Sequence, residues 1–126
     1  MANSASAKPA GLPRRQRLTS PDIKQLLRSG RLLRGQGVQM LTNPNHRDYA
    51  RLAVAVPKRL WKRAVDRNRA KRCIREWFRA NKSMLSGRDF LIRISAKTHT
   101  PAEGFAGLDL QLQTLGMQSV IGRQQQ

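Results

Sequence analysis

Residues 51–81 read RLAVAVPKRLWKRAVDRNRAKRCIREWFRAN, and the hydrophobic period changes inside them. Over 51–56, Leu52, Val54 and Val56 alternate with Ala53 and Ala55, so both faces of an extended chain are apolar. That pattern fits a central strand covered on both sides. Pro57 ends it, because proline has no N–H to give to a ladder. From 63 to 81 the period is helical. Ala70, Cys73, Ile74, Trp77 and Phe78 recur at i, i+3, i+4, i+7 and i+8, forming one apolar stripe. Trp77 and Phe78 are core residues by that spacing, and Cys73 is a buried thiol on the same stripe. Asn68, Arg72, Arg75 and Arg79 project to the opposite side, and Arg69 and Glu76 also point away. Arg67 falls near the stripe in the first turns and is expected to reach past the end of the sheet.

Charge is concentrated on this segment. The 126-residue chain has 25 Lys plus Arg against 7 Asp plus Glu, a net charge of +18. Ten of those cations lie between positions 58 and 79, with only Asp66 and Glu76 to oppose them. Lys58, Arg59, Lys62 and Arg63 stud the turn; Arg67, Arg69, Lys71, Arg72, Arg75 and Arg79 follow on the helix. So many like charges side by side need a counter-ligand. Guanidinium forks match phosphate oxygens bidentately, and lysine acts as a point charge. Asn68 adds a neutral donor and acceptor within the cluster. The amphipathic stripe beneath argues for a folded binding face rather than a disordered basic tail.

Other function classes lack their equipment. No run approaches the ~18–20 apolar residues of a membrane span, so no membrane partner is expected. The single cysteine excludes an internal disulfide, and one Cys with two His falls short of a four-ligand zinc site of that type. No protein metal site is expected. Neither a G-x-x-x-x-G-K-[ST] loop nor a G-x-G-x-x-G turn is present. No paired carboxylates or activated nucleophile can be assembled for a stand-alone enzyme, so no catalytic side chain is assigned. His46 and His99, 53 positions apart in loop-like stretches, read as surface histidines rather than an acid–base pair. Tyr49 reads as exposed.

The remainder frames a single domain over 18–118. Residues 1–17 precede the first acidic residue and form a disordered basic arm. They lack the apolar core of a secretory signal, although their composition resembles a transit peptide. Residues 119–126 read as a flexible tail. Thr19 and Asp22 have capping-box spacing, and Ile23, Leu26 and Leu27 follow at helical intervals until Gly30, predicting a helix over 20–29. Short strands are predicted over 38–41 and 89–96, the latter with Phe90, Ile92 and Ile94 on one face. Residues 42–49 read as a loop. From Thr100, Thr-Pro-Ala-Glu marks a helix start, and Leu108, Leu112 and Leu115 supply a stripe beyond Gly104 and Gly107.

Arg67-Asn68-Arg69-Ala70-Lys71-Arg72, followed by Ile74-Arg75-Glu76-Trp77-Phe78-Arg79, resembles the Arg-Asn-Arg signature of the bacterial ribonuclease P protein subunit family. The preceding strand with its Lys58-Arg59 pair, the spacing to Arg67 and the strand at 89–94 fit the same pattern. The resemblance spans about 18–115. It implies an α/β (α+β) two-layer sandwich: a small mixed sheet of about four strands with helices packed on it and a left-handed βαβ crossover. The strands legible here fall one short. It also implies that the basic helix and turn contact a catalytic ribonuclease P RNA. The 5′ leader of precursor tRNA would lie in a cleft between the first helix and the sheet. Chemistry and Mg²⁺ would reside on the RNA in a bacterial cytoplasm, with no obligate protein partner. The family's first helix presents aromatic residues to that cleft; here the matching positions hold Ile23 and Leu27, and the adjoining strand offers Val38 and Met40. Ala53 stands where the family commonly has Gly. A structural RNA-binding protein of ribosomal type fits the composition equally well. A DNA-binding protein would lack its helix-turn-helix.

Overall fold

In the computed structural model, which describes residues 12–97, 99–103 and 105–125, a four-stranded mixed sheet forms the frame. Helix α1 (Ser20–Ser29) comes first, with Thr19 and Asp22 at its start as the sequence predicts. Strand β1 (Arg31–Arg34) turns through Gly35–Gly37 into β2 (Val38–Pro44); Gly37 takes a φ of 74°, and the Gly35 amide donates to the Val38 carbonyl at 2.8 Å. Strand β3 (Arg51–Ala55) leads into the basic helix α2 (Ala64–Ala80), then the short α3 (Lys82–Leu85) and β4 (Arg88–Ile94). Helix α4 (Leu108–Gln125) closes the chain. The order across the sheet is β1-β2-β4-β3, with β3 and β4 parallel and the other pairs antiparallel.

β1 is the strand missing from the sequence reading. Four residues are too few to show a period of two, and only Leu33 of its leucines is buried. β2 runs past residue 41 because β4 pairs with it as far as Pro44 and Arg88. β3 is not central. It lies at the sheet's edge, and its two apolar faces are explained by cover on both sides. The Thr-Pro-Ala-Glu start forms only the 3₁₀ turn Pro101–Glu103; Phe105 (φ 59°) and Gly107 (φ 88°) break the path, and the helix begins at Leu108. Its Leu108, Leu112 and Leu115 stripe is buried as predicted.

Both boundaries of the sequence reading move outward. Within the expected arm, Arg14–Gln16 form a 3₁₀ turn, Leu12 is buried and Arg17 bridges to Leu52. Residues 1–11 lie outside the described residues. At the other end α4 continues to Gln125 instead of ending at 118, and Ser119 is buried.

The main core lies between the sheet and α2 with α4. Ile74, Trp77 and Phe78 pack there against Phe90, Ile92, Leu108 and Leu112. Each fully buried side chain of this size stabilises by roughly 1.5–3 kcal/mol relative to exposure. A smaller cluster on the opposite face joins Leu26 of α1 to Leu41 and Leu91. No helix among the described residues is long and apolar enough to cross a membrane.

Candidate nucleic-acid interface

The basic surface is built by anchoring its apolar residues. In the turn after β3 the Leu60 amide donates to the Pro57 carbonyl at 3.2 Å. Leu60 and Trp61 point inward, and Trp61 meets Phe105 edge to face, ring centroids 5.5 Å apart. Lys58, Arg59, Lys62 and Arg63 are thereby left exposed. On α2 the same partition holds: Ala70, Ile74, Trp77 and Phe78 are buried, while Asn68, Arg69 and Arg72 are exposed. Lys71, Arg75 and Arg79 are half-buried along its flanks.

Arg67 differs from the rest. Its Nη1 donates to the carbonyls of Trp61 and Lys62, both at 2.8 Å. The guanidinium turns back and staples the basic turn to the first turn of α2, rather than passing the end of the sheet. Arg75 is also distinctive. Burial, then the neighbouring charges of Arg79 and Arg17, push its pKa below the usual guanidinium value.

The other face of the sheet carries a second surface under α1. Strand register places Leu32, Leu41, Leu91 and Ala53 in one row across this face. Arg34, Gln39, Arg93 and Ala55 form the next. Leu26 of α1 seals onto Leu41 and Leu91; Ile23 is half-buried beside them, and Leu27 is 53% exposed. Two arginines here are held by partners. Arg51 pairs bidentately with Asp89 at 2.8 Å and 2.8 Å and reaches Asp22 of α1 at 3.4 Å. The Asp89 bond is the main reason that the Arg51 pKa rises. Arg93 donates to Gln39 Oε1 through Nε and Nη2, at 3.1 and 2.7 Å.

Val38 and Met40 do not line this surface. Both are fully buried in the main core on the α2 side. Side chains alternate along a strand, so a displacement of one residue exchanges faces. Gln39 and Leu41 occupy the α1 side instead. The sequence reading missed them, and also Leu91 and Arg93. The signal available was the alternation of β2 against the already assigned β4.

The histidines do not meet. His46 is exposed in a loop, at φ 60°. His99 is not a surface residue: it is 7% exposed, with Nδ1 3.1 Å from the Ala106 carbonyl and Nε2 2.9 Å from that of Gln36. Tyr49 is half-buried, with the Arg15 and Arg47 guanidiniums 4.7 and 5.9 Å from its ring centre. Cys73 is half-buried, and burial followed by the charges of Glu76 and Asp109 raises its pKa. Burial of this kind disfavours the thiolate, the reactive form of cysteine. A cavity of about 470 Å³ beside it is walled by Trp77 and Phe105 and carries Glu76 and Asp109, charges that disfavour phosphate. Among the described residues no three His, Cys, Asp or Glu side chains converge as a metal site, and Asp22 and Asp89 are engaged by Arg51.

Comparison with known proteins adds a consistent result. Residues 12–115 match the family model described as Ribonuclease P. The ribonuclease P protein component of Nitrosococcus oceani is 40% identical over 83 residues, covering 65% of this chain and 70% of that one. A solved structure of the Staphylococcus aureus RNase P protein is 28% identical, with a TM-score of 0.67, covering 79% of this chain and 94% of that chain. The RNase P protein from Thermotoga maritima is likewise 28% identical, with a TM-score of 0.66 over 79% and 93% of the two chains.

Proposed function

The chain belongs to the ribonuclease P protein family, the protein components of a tRNA-processing ribonucleoprotein, and from that premise we propose how its two surfaces divide the work. The exposed cations of the 57–63 turn and α2 grip the phosphates of the catalytic RNA. The α1 face of the sheet receives the 5′ leader of precursor tRNA. The observation that carries this reading is the basic surface itself: Lys58, Arg59, Lys62, Arg63, Arg69 and Arg72 all stand outside a sealed core, and Arg67 holds turn and helix in one rigid unit.

The geometry supports each chemical role. Neutralising phosphates releases counterions, so binding to α2 is steeply salt-dependent. Asn68, exposed among the arginines, offers both a donor and an acceptor to a base edge or 2′-hydroxyl. On the α1 face the exposed Leu27 and half-buried Ile23 give bases an apolar contact without aromatic stacking. Arg93, held by Gln39, supplies a positioned cation for the leader backbone.

Cleavage chemistry belongs to the RNA in this reading. Mg²⁺ supplies charge neutralisation and an activated water when bound there; the described carboxylates of this chain, tied to arginine or scattered, do not suit it. The protein contributes affinity for RNA and substrate, in the bacterial cytoplasm and without an obligate protein partner.

The test is cleavage of 5′-labelled precursor tRNA at low Mg²⁺, with ribonuclease P RNA, with and without the protein, and with a protein-only control. Cleavage at the mature 5′ end is expected only when RNA and protein are combined. RNA binding without stimulation would instead assign the chain a structural RNA-binding role.

A further inference from the structure

Helix α1 lies across the sheet from β2 to β3 and meets it at three points. Leu26 is its buried side chain, set on Leu41 of β2 and Leu91 of β4. In the neighbouring row of this face Asn43, Asp89 and Arg51 stand side by side. The helix touches both ends of that row. At its last residue the Ser29 hydroxyl accepts from Asn43 Nδ2 at 3.5 Å. Near its start Asp22 Oδ2 accepts from Arg51 Nη1 at 3.4 Å. A helix seated on one buried side chain can swing about that point, so the two outer contacts set its angle across the strands.

The two outer contacts are unequal. The Asn43–Ser29 contact is neutral and at the outer limit of a hydrogen bond. The Arg51–Asp22 contact joins opposite charges, and each partner is itself fixed. Arg51 is gripped by Asp89 through Nε and Nη2, both at 2.8 Å, and Asp89 Oδ1 also accepts from Asn45 Nδ2 at 2.9 Å. Asp22 Oδ2 accepts from the Thr19 amide and hydroxyl at 3.1 and 2.7 Å, within the cap of α1. Arg51 is thus a peg on the sheet, and Asp22 is the catch on the helix. Ile23 follows the catch directly, and Leu27 lies one turn further on. Any swing of α1 moves both relative to Gln39 and Arg93, in the row beyond Leu41 and Leu91.

We propose that Arg51 is a positioning residue: by holding Asp22 it fixes the angle at which α1 crosses the sheet, and with it the spacing of Ile23 and Leu27 from Arg93. The proposal rests on the reading of the α1 face as the leader surface and deepens it. The Arg51 guanidinium, engaged by two carboxylates, acts through α1 and not on a phosphate.

The experiment measures kcat and KM of the holoenzyme, at saturating protein, on precursor tRNA with a long leader and with a single-nucleotide leader. The wild type is compared with Asp22→Asn, Arg51→Lys, the double variant and Asp22→Glu, each checked for folding by circular dichroism. Lysine cannot grip Asp89 with a fork and still reach Asp22. Glutamate is the usual capping-box residue at this position and keeps the charge. Asp22→Asn and Arg51→Lys are expected to raise KM for the long leader about threefold to fivefold, the scale of a lost partly exposed ion pair. They should leave kcat and the single-nucleotide KM unchanged, the mark of lost binding rather than lost chemistry. The double variant should match either single one, because both remove the same contact, and Asp22→Glu should behave as wild type. A second arm, on the free protein, reads amide hydrogen exchange over residues 20–29, which should quicken in Asp22→Asn and Arg51→Lys but not in Asp22→Glu. Unchanged exchange in Arg51→Lys overturns the peg. Quickened exchange with an equal rise in KM for both leaders, or with a fall in kcat, overturns the positioning role. A wild type with one KM for both leaders overturns the leader reading and the positioning role with it, while the RNA-free arm still shows whether the peg holds α1.

Discussion

The two faces of the sheet carry their cations differently. On the α2 side they stand on top of a sealed core, with Ala70, Ile74, Trp77 and Phe78 beneath and Arg69 and Arg72 in solvent. On the α1 side arginines lie in the sheet surface and are already engaged, Arg51 by Asp89 and Asp22, Arg93 by Gln39. The first surface presents exposed positive charge. The second is a mixed surface in which held arginines flank aliphatic residues. A net charge of +18 is therefore not one uniform interface. Binding to the α2 surface should follow ionic strength, whereas binding under α1 should also follow the shape of the side chains on offer.

The largest expected effect separates the two faces of β2. Met40→Ala should destabilise the fold by about 2–5 kcal/mol, the usual range for a fully buried methionine. Leu41→Ala, under α1, should cost less because its cluster is smaller. Equal costs in urea denaturation would undo the assignment of Met40 to the main core. Next comes the contrast within the basic segment. Arg67→Ala should lose about 1–3 kcal/mol of stability, as two backbone carbonyls lose a charged donor, and Arg67→Lys should not restore the double contact. Arg72→Ala should leave stability unchanged and reduce the salt slope of RNA binding by about one. Thermal melts and salt titrations together distinguish the two arginines.

On the α1 face Leu27→Phe should tighten leader binding by up to about 1–3 kcal/mol, the worth of one stacked base. No tightening in a leader-length competition assay would place the bases elsewhere. The smallest effect is pH-dependent. The Thr19 hydroxyl, at 2.7 Å, is the main cause that holds the Asp22 carboxyl below its ordinary range, despite opposition from burial. The unfolded chain takes up this proton first as pH falls. The contribution is present above the ordinary carboxylate pKa and is lost as pH drops through the depressed folded value. Asp22→Asn should flatten that acid-side slope in denaturation midpoints measured across pH.

The basic helix was readable because a stripe repeated over 17 residues of α2 leaves little ambiguity about which side is buried. The same applies to α1, whose capping residues and leucine spacing mark both ends. Short elements were not readable in this way. The four residues of β1 carry too few alternations, and the Thr-Pro-Ala-Glu start at 100–103 was overridden by the turn through Phe105 and Gly107. For β2 the apolar residues Val38, Met40 and Leu41 do not reveal which side α1 covers; that depends on the pairing of Met40 with Ile92 and Leu41 with Leu91. Arg67 is the same kind of case, since its partners are carbonyls of a turn whose path no side-chain pattern reports.

The sequence by itself determined the charge, the amphipathic helix that displays it and the family signature, because each depends on residue type and local spacing. Only the tertiary structure decided which face of β2 meets α1, that β3 is an edge strand covered by residues 12–18, and that Arg17 approaches Arg75. Those are long-range facts, settled by strand pairing and packing between segments far apart in the chain.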